Sequence, residues 1–157
     1  MPTKSASDKR KVPLQLIGAA GVHFVVSELS LRGLIALPTA RNTAGIDVLV
    51  SEPDGSALAS LQVKTSLSKT KFWPTSRPEK CVRGPRVFYV FLRYLKAENR
   101  FEAFLESSEE VVKQVQRNQE DYERRGLKEF PYWELPRTPE GVEELRRRWE
   151  TWRPPAS

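Results

Sequence analysis

The stretch from Gly45 to Ser66, GIDVLVSEPDGSALASLQVKTS, sets one aspartate in an apolar run and then, past a turn, a glutamine and a lysine separated by a single valine. Ile46, Val48 and Val50 alternate with Asp47 and Leu49, and Leu61 and Val63 alternate with Gln62 and Lys64, which is the period of strands with one buried face. EPDGS between them puts proline and glycine where a hairpin turn uses them, so the two strands are expected as antiparallel neighbours. On that pairing Asp47, Gln62 and Lys64 emerge on one sheet face near the strand ends. A carboxylate, an amide oxygen and an ammonium in one small volume suit a hard divalent cation beside a fixed positive charge. Mg²⁺ or Mn²⁺ could take Asp47, the Gln62 amide oxygen and the Val63 carbonyl, keep waters elsewhere and leave room for a substrate phosphate. Lys64 would favour deprotonation of the attacking water and offset the charge that builds at phosphorus. The chemistry is that of phosphodiester hydrolysis. The competing reading of Asp47 is a strand-end carboxylate satisfied by a backbone amide.

Those residues need a scaffold, and the rest of the chain supplies one. From Leu14 to Arg32, Ile17, Gly21, Val22, Val25, Val26 and Leu29 recur at helical spacing, with Pro13 suited to the first turn and Gly33 to the stop. GLIALPT reads as a short strand before the hairpin. RVFYVFLRYL, Arg86 to Leu95, is too continuously apolar and aromatic for an edge, so a central strand is expected, with NRFEAFLES as its hairpin mate. Ser107 or Ser108 then caps a helix with Glu109 and Glu110 in its first turn, running to about Arg125 and stopping at Gly126. LKEFPYWELPRTP is an aromatic connector expected to pack on the body, and PEGVEELRRRWETW a short final helix.

At 157 residues and 39% hydrophobic, the chain can bury one core. The expected organisation is a flexible basic arm over residues 1–12, one domain over 13–152 and a flexible tail over 153–157. With 26 Lys and Arg against 20 Asp and Glu, the formal charge of +6 favours polyanionic partners, nucleic acid first among them. The surplus is concentrated: the segment from Lys64 to Arg86 carries seven basic residues against Glu79 alone. Lys69, Lys71, Arg77, Lys80 and Arg83 are therefore candidates to follow a phosphate backbone, with Phe72 and Trp73 interleaved among them to stack on exposed bases. Trp73, followed by Pro74, could instead plug the rim of the core. The single Cys81 excludes an internal disulfide and a multi-cysteine zinc cluster, which fits a reducing compartment, by default the cytoplasm. No membrane span is expected, because charged residues interrupt the first apolar segment.

The helix GAAGVHFVVSELSLRG, a strand, GIDVLV, the hairpin, LQVKT and an aromatic strand together resemble the PD-(D/E)XK nuclease superfamily, in particular small members with a QVK form of its signature: Holliday junction resolvases, some homing endonucleases and many uncharacterised bacterial proteins. The resemblance runs from about Leu14 to Leu92. It implies an α/β fold with a restriction-endonuclease-like α-β-β-β-α-β core, a mixed central sheet flanked by helices, acting on DNA with Mg²⁺. Carried over position by position, the metal-binding aspartate falls on Asp47, the variable Glu/Gln on Gln62 and the catalytic lysine on Lys64. Members often dimerise, since cutting two strands takes two sites, so a homodimer is a further expectation. The chain departs from the pattern on its first helix, where many relatives carry a glutamate directly after the glycine at position 21 and this chain has Val22. Glu28, the one carboxylate on this helix, sits ~120° around the axis from Val22 and does not take its place. His23, the only histidine, and Glu28 are second-tier candidates.

Overall fold

The computed structural model describes residues 11–40 and 45–156, so the expected arm over residues 1–12 lies almost wholly outside it. Helix α1 (Leu14–Leu31) follows Pro13 and closes at Gly33, whose φ of 81° only glycine adopts freely. It leads into β1 (Ile35–Pro38), β2 (Val48–Ser51) and β3 (Leu58–Ser66), then β4 (Phe72–Pro74), a 3-10 turn (Pro78–Lys80), β5 (Val87–Leu95) and β6 (Arg100–Ser107). Helix α2 (Ser108–Arg124), β7 (Tyr132–Glu134) and α3 (Pro139–Thr151) complete the order.

Five strands form a mixed sheet in the order β1-β2-β3-β5-β6, and β4 pairs with β7 as a separate antiparallel ribbon. β3 and β5 run parallel, with Lys64 beside Phe91 and Thr65 beside Leu92, while the other neighbours are antiparallel. This is the mixed α/β architecture expected, with β5 interior and β6 as its hairpin mate. One detail differs: between the parallel β3 and β5, where the implied core has an α-helix, the chain uses β4 and the 3-10 turn.

The alternation along β5 divides the interior into two layers. Val90 and Leu92 join Val25 and Leu29 of α1, Val48, Val50 and Leu61, with Trp149 and Trp152 from the C-terminal end of the chain. Tyr89 and Phe91 face the opposite way and pack with Trp73, Phe104, Val111, Val115 and Trp133. Ser107 caps α2 by accepting the Glu110 N–H at 3.3 Å, as its position before Glu109 and Glu110 predicts.

By length and composition α1 could cross a membrane, with a mean hydropathy of 1.4 over its 18 residues, but in the fold it lies on β1 and β3 and buries Gly21, Val25 and Leu29. A Cβ built on Gly21 would stand 1.9 Å from Thr65 Oγ1, so that glycine lets α1 approach β3. The C-terminal residues are the first correction. Residues 153–156, expected as a loose tail, are docked: Arg153 forms a two-pronged pair with Glu52 at 2.8 Å, and Arg86 donates to the carbonyls of Pro155 and Ala156 at 2.8 and 2.9 Å.

Candidate functional site

The β2–β3 register ends at Val48 opposite Leu61, and β3 continues through Gln62–Ser66 with β5 as its strand partner among the described residues. Asp47 stands where the ladder stops. Its N–H donates to Leu61 O and its carbonyl accepts the Thr39 N–H, both at 2.9 Å, so its backbone is held on both sides. The Oδ2 atom then accepts the Val63 N–H at 2.7 Å, in place of the carbonyl that a continuing β2 would have offered. One carboxylate oxygen is thus spent on the backbone and Oδ1 is left.

Asp47 and Val63 line a surface hollow of about 650 Å³ whose other wall is the N-terminal half of α1: Gln15, Gly18, Ala19, Val22 and His23. Thr39 closes one end, its hydroxyl donating to Ile46 O. Val22 therefore occupies the hollow of Asp47, at the position where the resemblance implies a glutamate. His23 lies on the same wall. Glu28 does not; it lies 3.7 Å from Arg32 and lines a different hollow with Phe24, Tyr94 and Phe101.

Gln62 and Lys64 are absent from the lining of that hollow. The parallel register sets Gln62 beside Tyr89 and Lys64 beside Phe91, which puts both on the face of the sheet away from α1. Gln62 reaches the start of β2, its Nε2 lying 3.8 Å from where a Cβ on Gly45 would be, with Val82 packed over the same spot. Lys64 makes no hydrogen bond or carboxylate pair among the described residues, and its charge acts on Cys81. The three therefore do not emerge on one sheet face as the alternation predicts: Asp47 lines the hollow on the α1 side of β3, while Gln62 and Lys64 lie on its other face, because the Asp47 carboxylate turns to the Val63 N–H where β2 ends. The covering segment is apolar enough to matter: burial pushes the Cys81 thiol up, against the smaller opposing effects of Tyr89 and Lys64, and burial likewise pushes the Tyr89 phenol up as its hydroxyl donates to Val82 O at 2.9 Å.

A divalent ion at Asp47 would have a single carboxylate oxygen, Oδ1, and otherwise neutral donors and waters, a mode Mg²⁺ tolerates. No group of three or more His, Cys, Asp or Glu residues that could hold a metal exists among the described residues.

In the basic segment, Lys69, Lys71, Lys80 and Arg83 are exposed and without carboxylate partners among the described residues, whereas Arg77 pairs with Glu129 at 3.0 Å. Trp73 is the second correction. It is 1% exposed, its indole N–H donates to Leu92 O at 2.9 Å, and it packs on Phe91, Phe104 and Trp133, so it cannot stack on a base. The exposed aromatics here are its neighbour Phe72 and, across the ribbon, Phe130, with half-buried Tyr132 against both; the three did not stand out in the sequence as a group because 60 residues separate Phe72 from Tyr132.

No protein-family model matches the chain, and no curated protein matches it. Among solved structures, the fold is similar to a bacterial homing endonuclease, I-Ssp6803I, with a TM-score of 0.51 and 13% identity over 90% of this chain and 100% of that one. At that identity the likeness establishes a shared nuclease-like α/β fold.

Proposed function

We propose that the protein is an endonuclease of the PD-(D/E)XK type, hydrolysing DNA phosphodiester bonds with Mg²⁺ or Mn²⁺ at the end of β3. The reading is supported by the placement of Asp47: the one carboxylate lining the α1 hollow among the described residues stands at the strand junction, on a fold similar to that of a homing endonuclease over 90% of this chain. Asp47 Oδ1, with Gln62 or the Val63 carbonyl, would hold the cation, which when bound supplies charge neutralisation and an acidified water. Lys64, with no carboxylate to occupy it among the described residues, would meet the phosphate oxygens from the other side of the strand. Lys69, Lys71, Lys80 and Arg83 would follow the backbone of the nucleic acid. Cleavage of both strands would take two copies of the chain, and the free Cys81 thiol suits a reducing compartment.

The test is incubation of supercoiled plasmid and branched DNA with Mg²⁺ or Mn²⁺. The parent should nick or linearise them, and Asp47→Ala and Lys64→Ala should each lose on the order of 100-fold or more. Cleavage that survives unchanged in Lys64→Ala eliminates the mechanism. A second reading, a nuclease fold that binds nucleic acid without cutting it, is favoured by Val22 and by the bond that Asp47 Oδ2 makes to the backbone. It is separated from the first by a salt-sensitive gel shift in the absence of any cleavage.

A further inference from the structure

We infer that the outer face of the β4–β7 ribbon is a stacking platform for unpaired nucleobases, a contact surface apart from the Asp47 hollow that rests on the nucleic-acid reading above. Trp73 and Trp133 are partners in the ribbon and both point inward, at 1% and 2% exposure. Strand alternation then turns Phe72 and Tyr132 outward. Phe72 is 47% exposed, and Phe130, just before β7, is 42% exposed. The three rings form one group, with Phe72 edge-on to Phe130 at 6.2 Å and to Tyr132 at 6.0 Å, and Phe130 and Tyr132 5.9 Å apart. Phe72 and Phe130, with Tyr132 against both, form a small apolar patch on this face.

The backbone of the ribbon is held in place. Gln114 of α2 accepts the Glu134 N–H at 2.7 Å and donates to Glu134 O at 3.1 Å, Asn118 donates to Tyr132 O at 3.0 Å, and Leu135 N–H reaches Lys71 O at 2.8 Å. A backbone ordered before binding spares a ligand the cost of ordering it.

The surrounding charge selects the occupant. Lys69, Lys71 and Lys128 are exposed and unpaired among the described residues, while Glu129 and Asp121 are taken up by Arg77 and by Arg124 and Arg125; Glu134, cross-strand from Phe72, has no ion pair among them and is the opposing charge on this face. An apolar protein partner would have no use for that surplus, whereas a polyanion with exposed π-faces matches both features. A closed duplex hides its faces, so the ligand is a single strand or an unpaired end or junction. Position agrees: the Trp73 indole is tied to Leu92, whose β3 neighbour is Thr65, the residue after Lys64.

The test is fluorescence anisotropy in EDTA with a labelled short oligothymidine and a duplex of equal length. Removing both rings in Phe72→Ala/Phe130→Ala should weaken single-strand binding roughly tenfold or more and duplex binding far less. Phe72→Trp should retain binding and give an exposed indole whose emission is quenched by the oligothymidine. Equal loss on the two ligands, no loss on either, no single-strand binding by the parent, or an unquenched indole overturns the inference. Because EDTA removes cleavage from the measurement, a failed nuclease assay leaves this result standing, and a failed platform leaves the nuclease assay untouched. Should the double variant unfold, the quenching of Phe72→Trp decides alone.

Discussion

Asp47 and Val63 are joined across the point where the β2–β3 ladder ends, the Oδ2 of one accepting the N–H of the other at 2.7 Å. The carboxylate thus has a structural duty as well as a free oxygen, and the two can be separated. Asp47→Asn keeps an acceptor for the Val63 N–H and removes the charge, so it should leave stability within about 1 kcal/mol while abolishing Mn²⁺ binding and cleavage. Asp47→Ala strips the partner from a half-buried amide and should cost ~1–3 kcal/mol. Urea denaturation of the pair checks the difference.

Gly21 is fixed by Thr65. Gly21→Ala would drive a methyl into the Thr65 hydroxyl, 1.9 Å away, and overpacking of this kind typically costs ~1–3 kcal/mol. Thr65 Oγ1 is itself buried without a hydrogen-bond partner, so Thr65→Val should stabilise the fold by about 1 kcal/mol. Thr65→Ala should recover part of the Gly21→Ala loss, which a double-mutant cycle on thermal melts would measure. Strict additivity would show that the two residues do not meet.

How much of this was legible depended on the reach of each signal. β5 read as interior because both of its faces are apolar, Val90 and Leu92 on one side and Tyr89 and Phe91 on the other. The start of α2 read correctly, with the cap narrowed to Ser107 or Ser108, because a helix start is encoded within four residues; the structure assigns it to Ser107. Trp73 misled because β4 is three residues long, too short for a period of two to show, and its partner β7 is about 60 residues away. The C-terminal residues misled for the same reason: RPPAS reads as a loose end, and nothing local announces that Arg153 will find Glu52 or that Arg86 will hold two of its carbonyls. In the candidate site, alternation told which of Gln62, Val63 and Lys64 share a face. It wrongly put Asp47 on the face of Gln62 and Lys64, because it could not tell where β2 stops, and that is what turns the Asp47 carboxylate to the Val63 amide.

Val22 lines the hollow of Asp47, so a carboxylate placed there would face the same volume. Val22→Glu gives up packing against the α1 core layer and should cost ~1–3 kcal/mol. In return it supplies the second anionic ligand the hollow lacks, and calorimetry with Mn²⁺ should show binding tightened by about tenfold or more. Affinity unchanged in a folded variant would mean that the hollow is not where a cation sits.

Glu106 offers a pH test of the fold itself. Burial holds its carboxyl above the ordinary value of 4.5, against the smaller opposing effects of the Ser107 N–H and Arg148, so the folded chain keeps this proton to higher pH than the unfolded chain does. Over that window Glu106 holds its proton more tightly in the native state, so its contribution to stability falls as pH rises from 4.5 through the raised folded value, then levels off. Glu106→Gln keeps an oxygen to accept from Ser107 N–H and Arg148, and Arg148 retains Glu144 at 3.2 Å, so no charge is orphaned. Stability measured by urea titration from mildly acidic to neutral pH should therefore fall in the parent relative to the variant, with the variant equal or more stable at neutrality. A parent that gains on the variant as pH rises would mean that the Arg148 pair, and not burial, governs this carboxylate.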